Sequence, residues 1–309
     1  MSVPAAFLGV VIIWSTTPLA IQWSSTDGGP LFGVASRMLL GTFVSLVLIA
    51  VLSRRMRWHR DAFRTYLAAG LGVWGAMTSV YWSAQYIPSG LISVLFGLSP
   101  VFTAIMAALW LGERAITPFR LLGLGLGLLG LSVIFGHSLQ IGPTAFLGVI
   151  GVVLSVSIHS ASAVWVKRIG AGVPALETTT GALLIALPLF LLSWIAFDGE
   201  LPQNLSPKAT WSIIYLGIFG SVLGFALYYY VLRQLQASRV ALITLITPVI
   251  ALLLGHYVND EEFGLRAWGG AAVILVGLAF FQWGDQLGRS GMLFVPRRKG
   301  CEALDDAKL

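Results

Sequence analysis

Ten apolar runs, each close to the length of a bilayer crossing, decide what this chain can become. A membrane-spanning helix needs about 20 mostly apolar residues. Runs of that kind fall at roughly 3–23, 30–53, 65–86, 89–112, 117–136, 143–166, 173–197, 210–232, 238–258 and 264–284. Charged residues make up only 10% of the 309 positions, against about a quarter in a soluble domain. They are bunched between the runs, and the mean hydropathy is +0.86. Backbone amides have no water to bond in hydrocarbon, so such runs must fold as helices. The expected fold is an all-α integral membrane protein with ten transmembrane helices. The first run lacks a basic leader, is interrupted by Trp14-Ser15-Thr16-Thr17-Pro18 and ends without a small-x-small site. It is therefore expected to stay in the protein as a span rather than be cleaved as a signal peptide.

The basic residues set the expected orientation. Arg54, Arg55, Arg57, Arg60 and Arg64 lie between runs two and three, and Arg114 and Arg120 follow run four. Lys167 and Arg168 follow run six, Arg233 and Arg239 flank the turn after run eight, and five more lie in the tail. With an inside N-terminus and ten spans, all sixteen face the cytoplasm, while only Lys208 and Arg266 face out. Cytoplasmic loops carry an excess of Lys and Arg, so both termini are expected inside. The net charge of +6 is then a topology signal, and no nucleic-acid partner is needed to explain it.

The chain also repeats itself. Tyr81 and Tyr229, Pro100 and Pro248, and Glu113 and Glu261 are each 148 residues apart. After the glutamates the second copy is two residues shorter, so Arg120 and Gly123 match Arg266 and Gly269 at an offset of 146. A spacing held through a tyrosine, a proline and an acid points to two halves on one plan. The expected division is a first five-helix repeat at 3–137, a second at 143–285 and a cytoplasmic tail at 286–309. Five spans is an odd number, so the second half must insert upside down, giving two inverted-topology five-helix repeats. Secondary transporters recur on that plan, with the solute site near the midplane.

The repeated block resembles the EamA-type repeat of the drug/metabolite transporter superfamily. The matching marks are Ser99-Pro100-Val101 with Leu111-Gly112-Glu113-Arg114, then Thr247-Pro248-Val249 with Asp260-Glu261, together with Trp14-Ser15 and the lone Arg37 of span two. The resemblance covers about residues 3 to 285. It implies ten helices, both termini inside, a home in the bacterial inner membrane, and export of amino acids or other small metabolites. One branch exports aromatic amino acids. The second copy departs from the pattern, since Asn259-Asp260-Glu261 stands where Leu-Gly-Glu stood.

Several residues are candidates for the solute site. Arg37 is permanently charged and lies within a span. A charge there is costly and must face protein or water. It either meets a carboxylate on the solute, snorkels to the outer end, or pairs with backbone carbonyls. Thr78, Tyr81 and Gln85 share one helical face at i, i+3, i+7 spacing, with Trp82 beside them, and Tyr229 is the counterpart of Tyr81. Aromatic bodies with polar tips suit a partly apolar organic solute, or else form an interfacial belt. Trp14 and Thr16 belong to the broken first span, and His159 lies near the middle of span six. Pro18, Pro100 and Pro248 are expected to bend their helices and serve as hinges or static kinks. Glu113 and Glu261 precede helix starts near Arg120 and Arg266, a setting that favours acids as structural locks.

Other chemistries find little support. Cys301 is the single cysteine, so neither an internal disulfide nor a cysteine metal cluster can form, and no metal or cofactor is expected. Gly125-x-Gly127-x-x-Gly130 spells a dinucleotide pattern but sits in an apolar span without a preceding strand, so close helix packing is expected instead, internal or at a dimer interface. The sequence has no HExxH, no aspartate-rich motif and no phosphate-binding loop. An enzyme is not expected, although a membrane-embedded enzyme and a carrier of non-amino-acid metabolites or drugs are the alternatives. No acid lies deep in a span, Glu177 at the start of span seven being the nearest, so facilitated diffusion or exchange is expected. The expected partners are a small-molecule solute and the lipid bilayer, with the chain as a monomer or homodimer.

Overall fold

The computed structural model describes residues 2–112, 117–135, 143–235, 237–240, 243–260 and 264–292. Among them every regular element is a helix. In chain order these are α1 (Val3–Ser24), α2 (Gly29–Val51), α3 (Arg60–Ser83), α4 (Ser89–Phe96), α5 (Ser99–Leu111), α6 (Pro118–Phe135), α7 (Pro143–Ile169) and α8 (Ala175–Phe197). Then come α9 (Pro207–Tyr215), a π-helical segment (Leu216–Gly224), α10 (Phe225–Gln234), α11 (Ala237–Val240), α12 (Ile243–Asn259) and α13 (Leu265–Met292). Joining α4 with α5, α9 through α10, and α11 with α12 gives ten spans. Six stretches among the described residues are long and apolar enough to cross a membrane: α1, α2, α4 with α5, α7, α8, and α9 through α10.

Local chemistry sets the helix ends. Proline stands in the first turn of α1, α2, α5 and α9, where its missing N–H costs nothing. Ser206 caps α9 by accepting the Ala209 N–H at 3.2 Å, and His59 caps α3 by accepting the Ala62 N–H at 3.3 Å. The two repeated blocks end alike: Gly112 after α5 and Asp260 after α12 both take the left-handed conformation, with φ of 67° and 50°. That turn explains why glycine stands in one copy and aspartate, a residue that tolerates positive φ, in the other.

The prolines behave differently from one another. Pro18 and Pro248 sit inside unbroken helices. Pro100 instead opens a helix: the fourth span breaks at Gly97-Leu98, and Ser99 donates to the freed Phe96 carbonyl at 2.6 Å. The sequence predicts a kink at both repeat prolines, and a full break occurs at one.

The packing has a twofold pattern. The third span lies on the sixth as the first lies on the eighth, and the third lies on the seventh as the eighth lies on the second. The first span packs on the ninth as the fourth packs on the sixth. Spans two and seven, four and nine, and five and ten each meet their own counterpart. The last of these pairs, α6 with α13, is held by glycines, because a Cβ on Gly277 would stand 2.7 Å from the Gly123 carbonyl oxygen and one on Gly130 2.6 Å from that of Gly270. Backbones this close gain dispersion contacts that lipid chains cannot replace. Gly123, Gly127 and Gly130 of span five thus pack internally, whereas Gly125 faces open space. Hydroxyls do similar work on α7, where Ser155 and Ser162 donate to the Ala76 and Ala68 carbonyls of α3 at 2.7 and 3.0 Å.

Candidate functional site

A cavity lies where the spans converge. Trp14, Thr17, Pro18 and Ile21 of α1 form one wall, Met77 and Val80 of α3 another, and Ile92, Ser93 and Phe96 of α4 a third. Arg37, His159, Gly220, Phe225, Thr244 and Thr247 complete it. Its volume is about 70 Å³, room for a few water molecules.

Arg37 is the one charge in this wall. It is 1% exposed, which removes snorkelling as its explanation. Its Nε donates to Ser221 Oγ of the π segment at 3.1 Å, and Nη1 donates to the Tyr81 hydroxyl at 3.4 Å. That hydroxyl lies 3.3 Å from Ser24 Oγ, so α1, α2, α3 and the eighth span meet around one guanidinium. Its partners are neutral side chains, not backbone carbonyls. The ion pairs among the described residues are Arg57–Glu177 and Arg64–Asp61, and neither involves Arg37. A buried cation without a carboxylate is an unusual expense in a low-dielectric interior. Ser93 also lines the cavity; it is 3% exposed, and its hydroxyl has no hydrogen-bond partner among the described residues. Buried polar atoms are nearly always bonded, so an orphan facing a cavity marks a place for a ligand group or water.

An aromatic cluster borders the cavity at Trp14 and His159. Trp14, His159 and Tyr228 form a closed triangle, with ring centroids 5.6, 5.0 and 5.2 Å apart. Beyond it a smaller void touches Ser99, Thr103 and Val240 as well as the three rings. The sequence repeat points to Tyr229, yet Tyr228 takes the inward position. The π segment just upstream adds a residue to its turn and rotates every following side chain about the helix axis. Tyr229 lines a separate cavity of about 300 Å³ with Lys167, Thr178 and Arg233.

The remaining expectations divide. Trp14, Arg37, His159 and Pro18 line the central cavity, and Thr17 lines it in place of the expected Thr16. Thr16 bonds instead to the Ile13 carbonyl and to the Tyr215 hydroxyl of α9. Tyr81 is fully buried outside the cavity wall, and its hydroxyl accepts from Arg37. The Thr78 hydroxyl is buried without a partner, but Thr78 lies outside the cavity wall. Trp82 is 38% exposed and packs on Tyr86. Gln85 is exposed and bonds back to the Trp82 carbonyl at 3.2 Å. The expected Thr78–Tyr81–Gln85 face therefore dissolves, because α3 ends at Ser83 and Gln85 lies in the turn beyond. Glu113 and Glu261 lie outside the described residues. Gly220, Ser221 and Ser93 do not stand out in the sequence, and only the small-residue spacing of Gly217, Gly220 and Gly224 hints at the first two; Tyr228 belongs to the Tyr228-Tyr229-Tyr230 run that matches span three.

The model of the EamA-like transporter family matches residues 2–136 and again 146–283. The chain belongs to the EamA-like transporter family. A Bacillus subtilis relative described as the uncharacterized transporter YoaV is 24% identical over 283 residues, spanning 90% of this chain and 96% of that one. A Streptantibioticus cattleyicolor protein described as a probable terminal-alkyne amino-acid exporter is 26% identical, covering 93% of both chains. The uncharacterized inner membrane transporter YedA of Escherichia coli is 24% identical, covering 91% of both. A solved crystal structure superposes with a TM-score of 0.71 at 19% identity, over 93% of this chain and 99% of the other, which establishes the fold. This EamA-like protein is thus a multi-pass membrane protein, and the relatives are transporters.

Both ends of the EamA-like bundle are tied. At one end Trp23 Nε1 donates to Asn259 Oδ1 at 2.7 Å, and Asn259 Nδ2 donates to Gln22 Oε1 at 3.0 Å. Lys208 Nζ sits 4.2 Å from the Trp23 ring centre, and Asp27 accepts the Ser206 N–H at 2.8 Å. The departure at Asn259 thus has a purpose: the amide joins α1 to α12 where the first copy carries Leu111. At the other end Lys167 Nζ donates to the Leu232 and Leu235 carbonyls, both at 2.7 Å, and Arg57 lies 3.6 Å from the buried Glu177.

Proposed function

We propose that this protein is a secondary transporter that exports small organic metabolites, most of all aromatic or neutral amino acids, across a bacterial inner membrane. The observation that carries the reading is Arg37, a buried guanidinium without a carboxylate partner among the described residues, lining a cavity together with Trp14 and His159, whose rings pack on Tyr228. A zwitterionic solute answers that arrangement. Its carboxylate supplies the missing negative charge in a low-dielectric site, where a charge-assisted hydrogen bond is strong. Its amino group has the Ser93 hydroxyl to bond, and its side chain has the aromatic wall. The tied ends suit alternating access, in which one set of ties opens while the other holds. Both termini lie in the cytoplasm, as the distribution of basic residues argues. The described spans hold no deep carboxylate to relay protons, so transport is facilitated diffusion or exchange.

Counterflow in proteoliposomes loaded with a panel of amino acids tests this reading. Saturable uptake that falls at least tenfold in Arg37→Gln and Trp14→Ala supports it. Uptake that survives both substitutions moves the site elsewhere, and the absence of uptake for every amino acid overturns the solute class. Uphill accumulation that collapses with the proton gradient overturns the uncoupled mode.

A further inference from the structure

One edge of the Arg37 guanidinium is held and the other is open, and two neighbouring residues of the π segment produce that asymmetry. Ser221 Oγ accepts from Nε at 3.1 Å, and the Tyr81 hydroxyl accepts from Nη1 at 3.4 Å. Among the described residues Nη2 makes no hydrogen bond. The backbone beside Nη2 is Gly220, where an added Cβ would stand 3.1 Å from Nη2 and 3.7 Å from Cζ. Both Gly220 and Arg37 line the central cavity. Ser221 is fully buried, and its hydroxyl also rests 3.7 Å from Met38 Sδ.

We propose that Ser221 is a positioning residue and Gly220 a specificity-determining residue of the solute site. Ser221 fixes the guanidinium plane through Nε, and the missing side chain at 220 keeps Nη2 open to the cavity. The site therefore takes a carboxylate at Nη2 and disfavours its neutral amide, which matches the shape of the carboxylate without its charge. A methyl group at 220 fills the approach. Loss of the Ser221 hydroxyl frees Nε, and the guanidinium turns to find another acceptor. The inference rests on the reading of Arg37 as the group that meets the solute's negative charge.

The test uses the full-length protein in detergent at pH 7, with benzoate and benzamide as probes of nearly equal shape. Apparent affinities come from ligand-induced thermal stabilisation of the wild type, Arg37→Gln, Gly220→Ala and Ser221→Ala. The wild type is expected to prefer benzoate by about tenfold, the effect of roughly 1.4 kcal/mol. Gly220→Ala and Ser221→Ala are each expected to lose most of that preference while benzamide binding stays within about twofold. A preference kept in both variants and abolished in Arg37→Gln overturns the roles of Gly220 and Ser221 and leaves the Arg37 reading standing. Equal responses to the two probes in the wild type, or a preference that survives Arg37→Gln, overturn both. If Gly220→Ala does not fold, Ser221→Ala decides the matter alone, since it removes one oxygen and adds no bulk.

Discussion

Replacing Arg37 with methionine should leave the ligand-free protein almost as stable as before. That is an unusual outcome for a residue that is 1% exposed. Arginine at the centre of a membrane helix costs about 2.5–3.5 kcal/mol on insertion scales. Against this stand two hydrogen bonds from a charged donor, at 3.1 and 3.4 Å. Such bonds contribute about 1.5–3 kcal/mol each when short, and these two lie at or beyond the long end of the usual range, so together they return about 3 kcal/mol. After the substitution the Tyr81 hydroxyl keeps Ser24 as a neighbour and the Ser221 hydroxyl keeps Met38 Sδ, which limits the cost of the lost partner. The two contributions nearly cancel, and a change within about 1 kcal/mol follows, equivalent to a midpoint shift of about 2–4 °C. Fluorescence-detected gel filtration after heating measures it. The same variant should lose all stabilisation by carboxylate solutes. A loss of about 3–5 kcal/mol, the cost of breaking a buried ion pair, would refute the reasoning, because Arg37 would then be a structural tie with a partner of its own.

Three further outcomes are expected. Asn259→Ala removes two hydrogen bonds worth about 1 kcal/mol each, so labelling of a cysteine placed at Ile21 in a Cys301→Ser background should speed up by as much as about 30-fold; an unchanged rate would show that the Trp23–Asn259–Gln22 tie does not hold the cavity shut. Gly277→Val forces a side chain against the Gly123 carbonyl, which a Cβ alone would meet at 2.7 Å, and should abolish recovery of monodisperse protein, whereas Gly264→Val, in open space, should not. The Ser206 bonds hold the Asp27 carboxyl below its ordinary pKa of 3.8. A depressed folded value means the tie persists above 3.8 and weakens only as pH falls through the lowered value; pepsin should therefore cut the loop at 199–206 only below pH 3.8 in the wild type, and at higher pH in Asp27→Ala.

Much of the architecture is legible from the residues alone. Ten runs of bilayer length leave helices as the one solution that satisfies every backbone amide, and the 148-residue offset implies the twofold plan without any contact being known. Arg37 stands out for a thermodynamic reason, since a permanent charge inside a span must have a purpose or a partner. The matched left-handed turns at Gly112 and Asp260 show how deep the repeat goes, with two different residues answering one backbone demand.

The site is less legible, because a helical face is set by register, and register is set by breaks that periodicity does not reveal. The end of α3 at Ser83 takes Gln85 off its expected face. The π segment turns Tyr228 inward in place of Tyr229, and the break at Gly97-Leu98 makes Pro100 the start of a helix rather than a bend within one. Ser93 and Ser221 look in sequence like any hydroxyl in an apolar run. Their meaning comes from what stands beside them: the central cavity for Ser93, and the Nε of Arg37 for Ser221. The sequence by itself determined that this chain crosses a membrane as two related halves with one charge committed to the interior. Only the tertiary structure decided which side chains that charge meets and which edge of it is left open, because those depend on rotations about helix axes that hydrophobicity does not encode.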